Sequence, residues 1–227
     1  MQLAELFKDI DFLVDTNPNT YKLEDKTRNI NFAIDYATGI ILGVDTDWQW
    51  DDSNYTDLPI GVTALNSGQK DYSFNDAFLA INAVEVQDQS GNTIVLEPID
   101  LYKSNGGTIT DFENVNGIPK YYDKLGSSIL LYPTPNFTKL GGLIVHYKRA
   151  GQHLLVSDLT KTPGFSVILH RYLTVSASYD WALSKQHAKV NALLQEKLRY
   201  EEAIKNNYRQ RSKDKRMRFI PAKQNNK

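Results

Sequence analysis

The chain of 227 residues contains no cysteine, which excludes disulfide staples, thiolate nucleophiles and cysteine metal ligands. Stability has to come from packing and assembly, and synthesis in a reducing cytosol fits. Long apolar runs are missing as well, none approaching the roughly 18 residues of a membrane-spanning helix. The opening "MQLAELFKDIDFLV" carries charges throughout instead of the basic-then-apolar layout of a signal peptide. A soluble protein without a membrane partner is the expectation. A dominant charge sign is also lacking: 26 Lys and Arg against 27 Asp and Glu leave a formal net charge of −1, which excludes a uniformly basic nucleic-acid binder. Hydrophobic residues nevertheless make up 41% of the chain, enough for a real core.

Catalytic patterns are scarce. His146 falls on an expected strand, His153 in a loop, and His170 and His187 on expected helices, none with a second histidine or a carboxylate at metal-ligand spacing. They read as structural or surface residues. The glycine pairs of "SNGGTITDF" and "LGGLIV" match neither a Walker loop nor a dinucleotide fingerprint and are expected to be hairpin turns. Ser166 and His170, four apart on a helix, are in the wrong context for a nucleophile elbow. Neither a catalytic residue nor a cofactor nor a metal site is expected. One alternative starts from Asp51 and Asp52 beside Trp48, Trp50 and Tyr55: aromatic faces stack on sugars and paired acids hydrolyse them, so a carbohydrate- or surface-binding module would use such residues. The competing reading is an acidic, aromatic connector between helical and β parts.

Helical spacing opens the chain. Leu3, Leu6, Phe7, Ile10, Leu13 and Val14 share a face, "DTNPNT" supplies a turn, and Ile30, Ala33, Ile34, Ala37, Ile40 and Ile41 make a second apolar face that Gly39 weakens. From about Trp48 the period changes to short apolar runs between turn signals. Strands are expected over 61–65, 72–74, 78–86, 93–98, 119–122, 128–132 and 143–148, with "DQSGN" a hairpin whose Gly91 takes a positive φ. After "SDLTKTPG" no proline or glycine occurs from Phe165 to Ile220. There Phe165, Ile168, Tyr172, Val175, Tyr179 and Leu183 trace one stripe, and Val190, Leu194, Leu198 and Ile204 another, on one long helix or two stacked ones.

The order helix, β, helix implies an α+β fold. Terminal helices cannot bury their stripes alone, so residues 1–45 and 158–208 are expected to form one bundle, with 46–157 an inserted antiparallel β-sandwich or barrel whose ends near Asp45 and Asp158 lie close together. Residues 209–227 form a basic tail, in which Arg209, Arg211, Lys213, Lys215, Arg216 and Arg218 surround Met217, Phe219 and Ile220. Apolar residues inside a basic tail suggest docking on a partner. The proline-fenced stretch "GIPKYYDKLGSSILLYPTPN" adds Tyr121, Tyr122 and Tyr132 as amphipathic contact candidates.

Four segments, "WQWDDSNYTDLPIG", "GQKDYSF", "GIPKYYDKLGSSILLYPTPN" and "SDLTKTPG" leading into a C-terminal helix, carry a resemblance that runs from about residue 48 to 183. They resemble the neck, or head-to-tail connector, proteins of tailed bacteriophages, the adaptor ring below the portal. That resemblance implies a structural virion protein made in the host bacterial cytoplasm and placed in the neck. It implies a self-assembled ring, commonly of twelve copies, with the portal protein and a downstream tail or nozzle protein as partners. DNA would pass through the lumen without sequence specificity. No residue carries over as catalytic.

Overall fold

The structure, a computed structural model, describes residues 1–44, 55, 57–74, 78–99 and 115–211. The fold is α+β, and the chain divides into two units, Met1–Asn54 with Gly151–Lys227 and Tyr55–Ala150. No helix among the described residues is long and apolar enough to cross a membrane.

The helical unit contains α1 (Leu3–Val14), α2 (Leu23–Val44), α3 (Arg171–Ser184) and α4 (Val190–Arg211), with a 3₁₀ turn over Val167–Leu169 ahead of α3. Helix α1 starts with a reciprocal cap between Gln2 and Glu5 and stops at Asp15, whose φ of 53° is left-handed. Its first free amides are taken by the later chain: Leu3 N–H donates to the Lys161 carbonyl at 2.9 Å and Ala4 N–H to that of Leu159 at 3.1 Å. All four helices feed one apolar cluster, with Leu6 and Ile10 from α1, Ile34 from α2, Tyr172 from α3 and Ile204 and Tyr208 from α4. Leu154 joins the same cluster, and Asn31 holds its backbone through a pair of hydrogen bonds at 3.0 and 2.9 Å. Residues 151–157 thus belong with the helices, although the sequence reading placed them in the β region.

Two of the expected helical stripes are corrected. Ile168 is exposed because it lies in the 3₁₀ turn, where Leu169 turns inward instead, and Leu183 is exposed in the last turn of α3. Leu198 is exposed while Leu193, Ile204 and Tyr208 are buried. Residues spaced four apart advance about 40° per step around a 3.6-residue helix, so the line 190, 194, 198 drifts off the buried face. His187 lies in the turn between α3 and α4, not on a helix, and His170 precedes α3.

In the β unit, β1 (Ile60–Leu65), β10 (Lys139–Arg149), β3 (Phe78–Gln87) and β4 (Thr93–Val95) form one sheet in that order. A second contains β2 (Asp71–Ser73), β8 (Ser128–Tyr132), β7 (Tyr121–Leu125) and β5 (Glu97–Pro98), and a short ladder joins β6 (Asn116–Gly117) to β9 (Thr134–Pro135). Most pairings are antiparallel, with β5·β7 and β6·β9 parallel. No barrel closes among the described residues, so that half of the expectation falls. Val84, Val86, Leu143 and Val145 of the first sheet share a core with Tyr72, Ile129 and Leu131 of the second. The "DQSGN" hairpin is present, with Gly91 at φ 88°.

"LGGLIV" is not a hairpin turn. Gly141 and Gly142 sit inside β10, where the register slips so that Ala64 of β1 stands against Leu140, Gly141 and Gly142. Gly141 has a φ of 67°, and a Cβ on Gly142 would come within 2.7 Å of Lys139 Cβ and 3.0 Å of Leu65 Cβ. The pair forms a bulge that bends the longest strand. The pair Gly106 and Gly107 lies outside the described residues.

Candidate partner-binding surfaces

The three tyrosines of the proline-fenced stretch divide between core and surface. Strand β7 aligns Tyr121 with Tyr132 and Tyr122 with Leu131 of β8. Tyr122, 6% exposed, joins the core of the β unit, and Tyr132, 1% exposed, is buried on the opposite face beside Tyr121, which corrects their expected role as contact area for neighbours. Alternation along β7 turns Tyr122 into the core and leaves Tyr121 half-exposed on the other face. Burial pushes the Tyr122 phenol up, and the Lys70 ammonium lies 5.1 Å from the centre of the Tyr132 ring. Pro133 precedes β9 and Pro135 ends it, and the Pro135 carbonyl accepts from Gly68 N–H at 2.8 Å.

Of the basic tail, Arg209 is exposed on the last turn of α4 and Arg211 is the final helical residue. The Arg211 side chain, with Lys213, Lys215, Arg216, Met217, Arg218, Phe219 and Ile220, lies outside the described residues. So do Trp48, Trp50, Asp51, Asp52 and Asp45. Tyr55 is engaged within the β unit: the Arg149 guanidinium sits 3.5 Å from its ring centre, and its hydroxyl donates to the Ala150 carbonyl at 3.1 Å. Arg149 also donates to the Asp57 carbonyl at 2.9 Å. Of the residues named for a sugar-binding surface, Tyr55 alone is described, and its ring packs against an arginine.

The histidines form no shared site. His146 lies 3.4 Å from Glu85 and His153 2.8 Å from Asp35, on separate units. His170 is buried, with Nε2–H donating to the Phe165 carbonyl at 2.9 Å and Nδ1 accepting from the Met1 ammonium at 2.9 Å. A carbonyl can only accept, which places the ring proton on Nε2. Burial holds the His170 imidazole below its ordinary pKa. No group of three metal-ligating side chains occurs among the described residues.

Sequence reasoning missed the exposed apolar residues of the segment after the β unit. Leu155, Leu159, Val167 and Ile168 are all exposed, Ile168 to 73%. It missed also the valines that end the first sheet, Val62 and Val95. Hydropathy cannot distinguish an apolar residue that finishes a core from one left at its rim; only the pairing order does so. No protein-family model matches the chain, and comparison with curated proteins finds no match.

Proposed function

We propose that this chain is a structural virion protein, a head-to-tail adaptor that forms a ring below the portal of a tailed bacteriophage and joins it to the tail, with DNA passing through the lumen. In this reading the four helices act as one bundle and the two sheets as a sandwich inserted into it. Self-association, the portal protein and a downstream tail component are the partners, and the virion neck is the location. The observation that carries the proposal is the run of exposed apolar side chains at Leu155, Leu159, Val167 and Ile168, ahead of α3. Large apolar groups concentrated in one connecting segment suit a surface covered by another protein better than one facing water. The resemblance of the four segments between residues 48 and 183 supplies the identity of that protein.

The test is to mix the purified chain with the portal protein of the same phage and weigh the product. A ring-sized complex is expected, and Ile168→Ser combined with Val167→Ser should weaken it without lowering the melting temperature, since both residues are exposed. A chain that leaves the portal alone under all conditions overturns the proposal.

A further inference from the structure

The first sheet ends in two strands whose outer edges pair with no other strand among the described residues. Natural sheets blunt their edges with charges, prolines or covering elements, because a row of free amides and carbonyls recruits other chains. The second sheet follows that rule: its edge strand β2 carries Asp71 and its other edge β5 ends in Pro98. The edges of the first sheet do not. Strand β1 reads IGVTAL and β4 reads TIV, neither with a charge or a proline.

Hydrogen bonding shows which groups face outward. Tyr147 N–H donates to the Pro59 carbonyl at 3.1 Å, and Ile60 stands opposite His146. In an antiparallel ladder bonded pairs alternate, so Gly61 and Thr63 face β10, while the amide and carbonyl of Val62 point away from the sheet. At the other end Leu96 N–H donates to the Val84 carbonyl at 2.8 Å and Val95 stands opposite Glu85. The same alternation turns the amides and carbonyls of Thr93 and Val95 outward. No hydrogen bond to these outward groups of Val62 or Val95 occurs among the described residues.

The two ends also match in register. Val62 pairs with Ile144, Ile144 with Glu85, and Glu85 with Val95, so the two valines close one cross-strand row on one face. Each is 62% exposed. Because β1, β10, β3 and β4 alternate in direction, β4 laid beside β1 of another copy is again antiparallel.

We infer that the first sheet continues from one copy to the next, β1 of one copy pairing with β4 of its neighbour so that Val62 meets Val95 across the contact. The occupant is a second copy of this chain. Both edges are open and aligned, so head-to-tail pairing leaves neither exposed, whereas two-fold pairing of β1 with β1 would leave β4 bare. One short strand pair also buries far less than the roughly 1,200 Å² of a stable two-copy interface. A copy gripped at both edges, as in a closed ring, has twice that contact. The inference deepens the adaptor proposal by naming how neighbours join; the chain is tested here without portal, so failure of edge pairing and failure of portal binding are separate results.

The absence of native cysteine makes the test clean. Val62→Cys, Val95→Cys and the double variant are prepared, checked for unchanged melting, and treated at high protein concentration with a bismaleimide that spans adjacent strands, about 5 Å apart. The double variant should yield a ladder of covalent oligomers, and the two single variants, once mixed, should yield a cross-linked pair. Each single variant alone should stay monomeric. A dimer from Val62→Cys alone means two-fold β1 pairing and overturns the inference, as does the absence of any cross-link from the double variant. As a second arm, Val62→Lys in the chain carrying Val95→Cys should leave cross-linking to Val62→Cys intact, because that contact uses its β4 edge and the other copy's β1; Val62→Lys without cysteine, added as a competitor, should cap the ladder of the double variant through its intact β4 edge, and loss of that cross-link or failure to cap the ladder overturns the inference.

Discussion

Lys26 is the residue whose environment departs furthest from its chemistry. Its side chain is fully buried in the helical unit and its ammonium reaches Asp11 at 2.6 Å, where the same carboxylate oxygen accepts from Thr16 Oγ1 at 2.7 Å. The two partners are unequal, for Asp11 keeps a quarter of its side chain in water. Removing the carboxylate strands a buried cation; removing the lysine leaves a carboxylate that is still hydrated and still bonded to Thr16. Asp11→Ala should therefore cost about 3–5 kcal/mol, and Lys26→Met, which keeps the stem's packing, much less. Urea unfolding of the two variants measures the difference, and equal losses would contradict this account of the pair.

At the scale of the element, two glycines within regular structure make opposite demands. Gly39 lies on α2 with open space where a Cβ would go. Gly142 lies in the β10 bulge, where the same atom would meet Lys139 and Leu65. Gly39→Ala should stabilise the helix by about 0.5–1 kcal/mol, the entropy that glycine forfeits on folding. Gly142→Ala should destabilise by about 1–3 kcal/mol through overpacking. Shifts of opposite sign in the urea midpoint check both. The bulge also separates the Leu65–Lys139 pair from the ladder that β10 forms with β1 and β3 from Leu143 onward, and Leu65 and Leu143 lie in one core.

For the whole molecule, the end of α4 separates what holds the fold from what is proposed to dock. Tyr208 is the last buried side chain described and its hydroxyl accepts from Ser166 N–H at 3.4 Å. Truncation after Arg211 should leave the melting temperature unchanged, whereas truncation after Ala203 removes Ile204 and Tyr208 from the core and should cost about 2–5 kcal/mol for each. If the basic tail steers the chain to an acidic groove or to DNA phosphates, the shorter truncation weakens assembly on portal most at low salt. Met217, Phe219 and Ile220 would supply a part that salt does not weaken. Assembly measured at two salt concentrations separates the two contributions, and an assembly-competent truncation removes the tail from the account.

Periodicity alone determined the two N-terminal helices, the β10 and β8 strands, the β3–β4 hairpin and the α+β class, because each rests on a local pattern or on the one positive φ that Gly91 supplies. The absence of cysteine and of a dominant charge likewise followed from composition. Local pattern could not show that Tyr122 and Tyr132 are buried, since which side chains of a strand are covered depends on the chain segments beside it. Nor could it recognise Gly141 and Gly142 as a bulge, which exists only against a register with β1. The break before α3 moved Ile168 outward although its spacing was helical. Val62 and Val95 became edge residues only through the order of strands in the sheet. A side chain's character is written in the sequence, but its neighbours come from parts of the chain far apart, and the tertiary structure alone decides which of them meet.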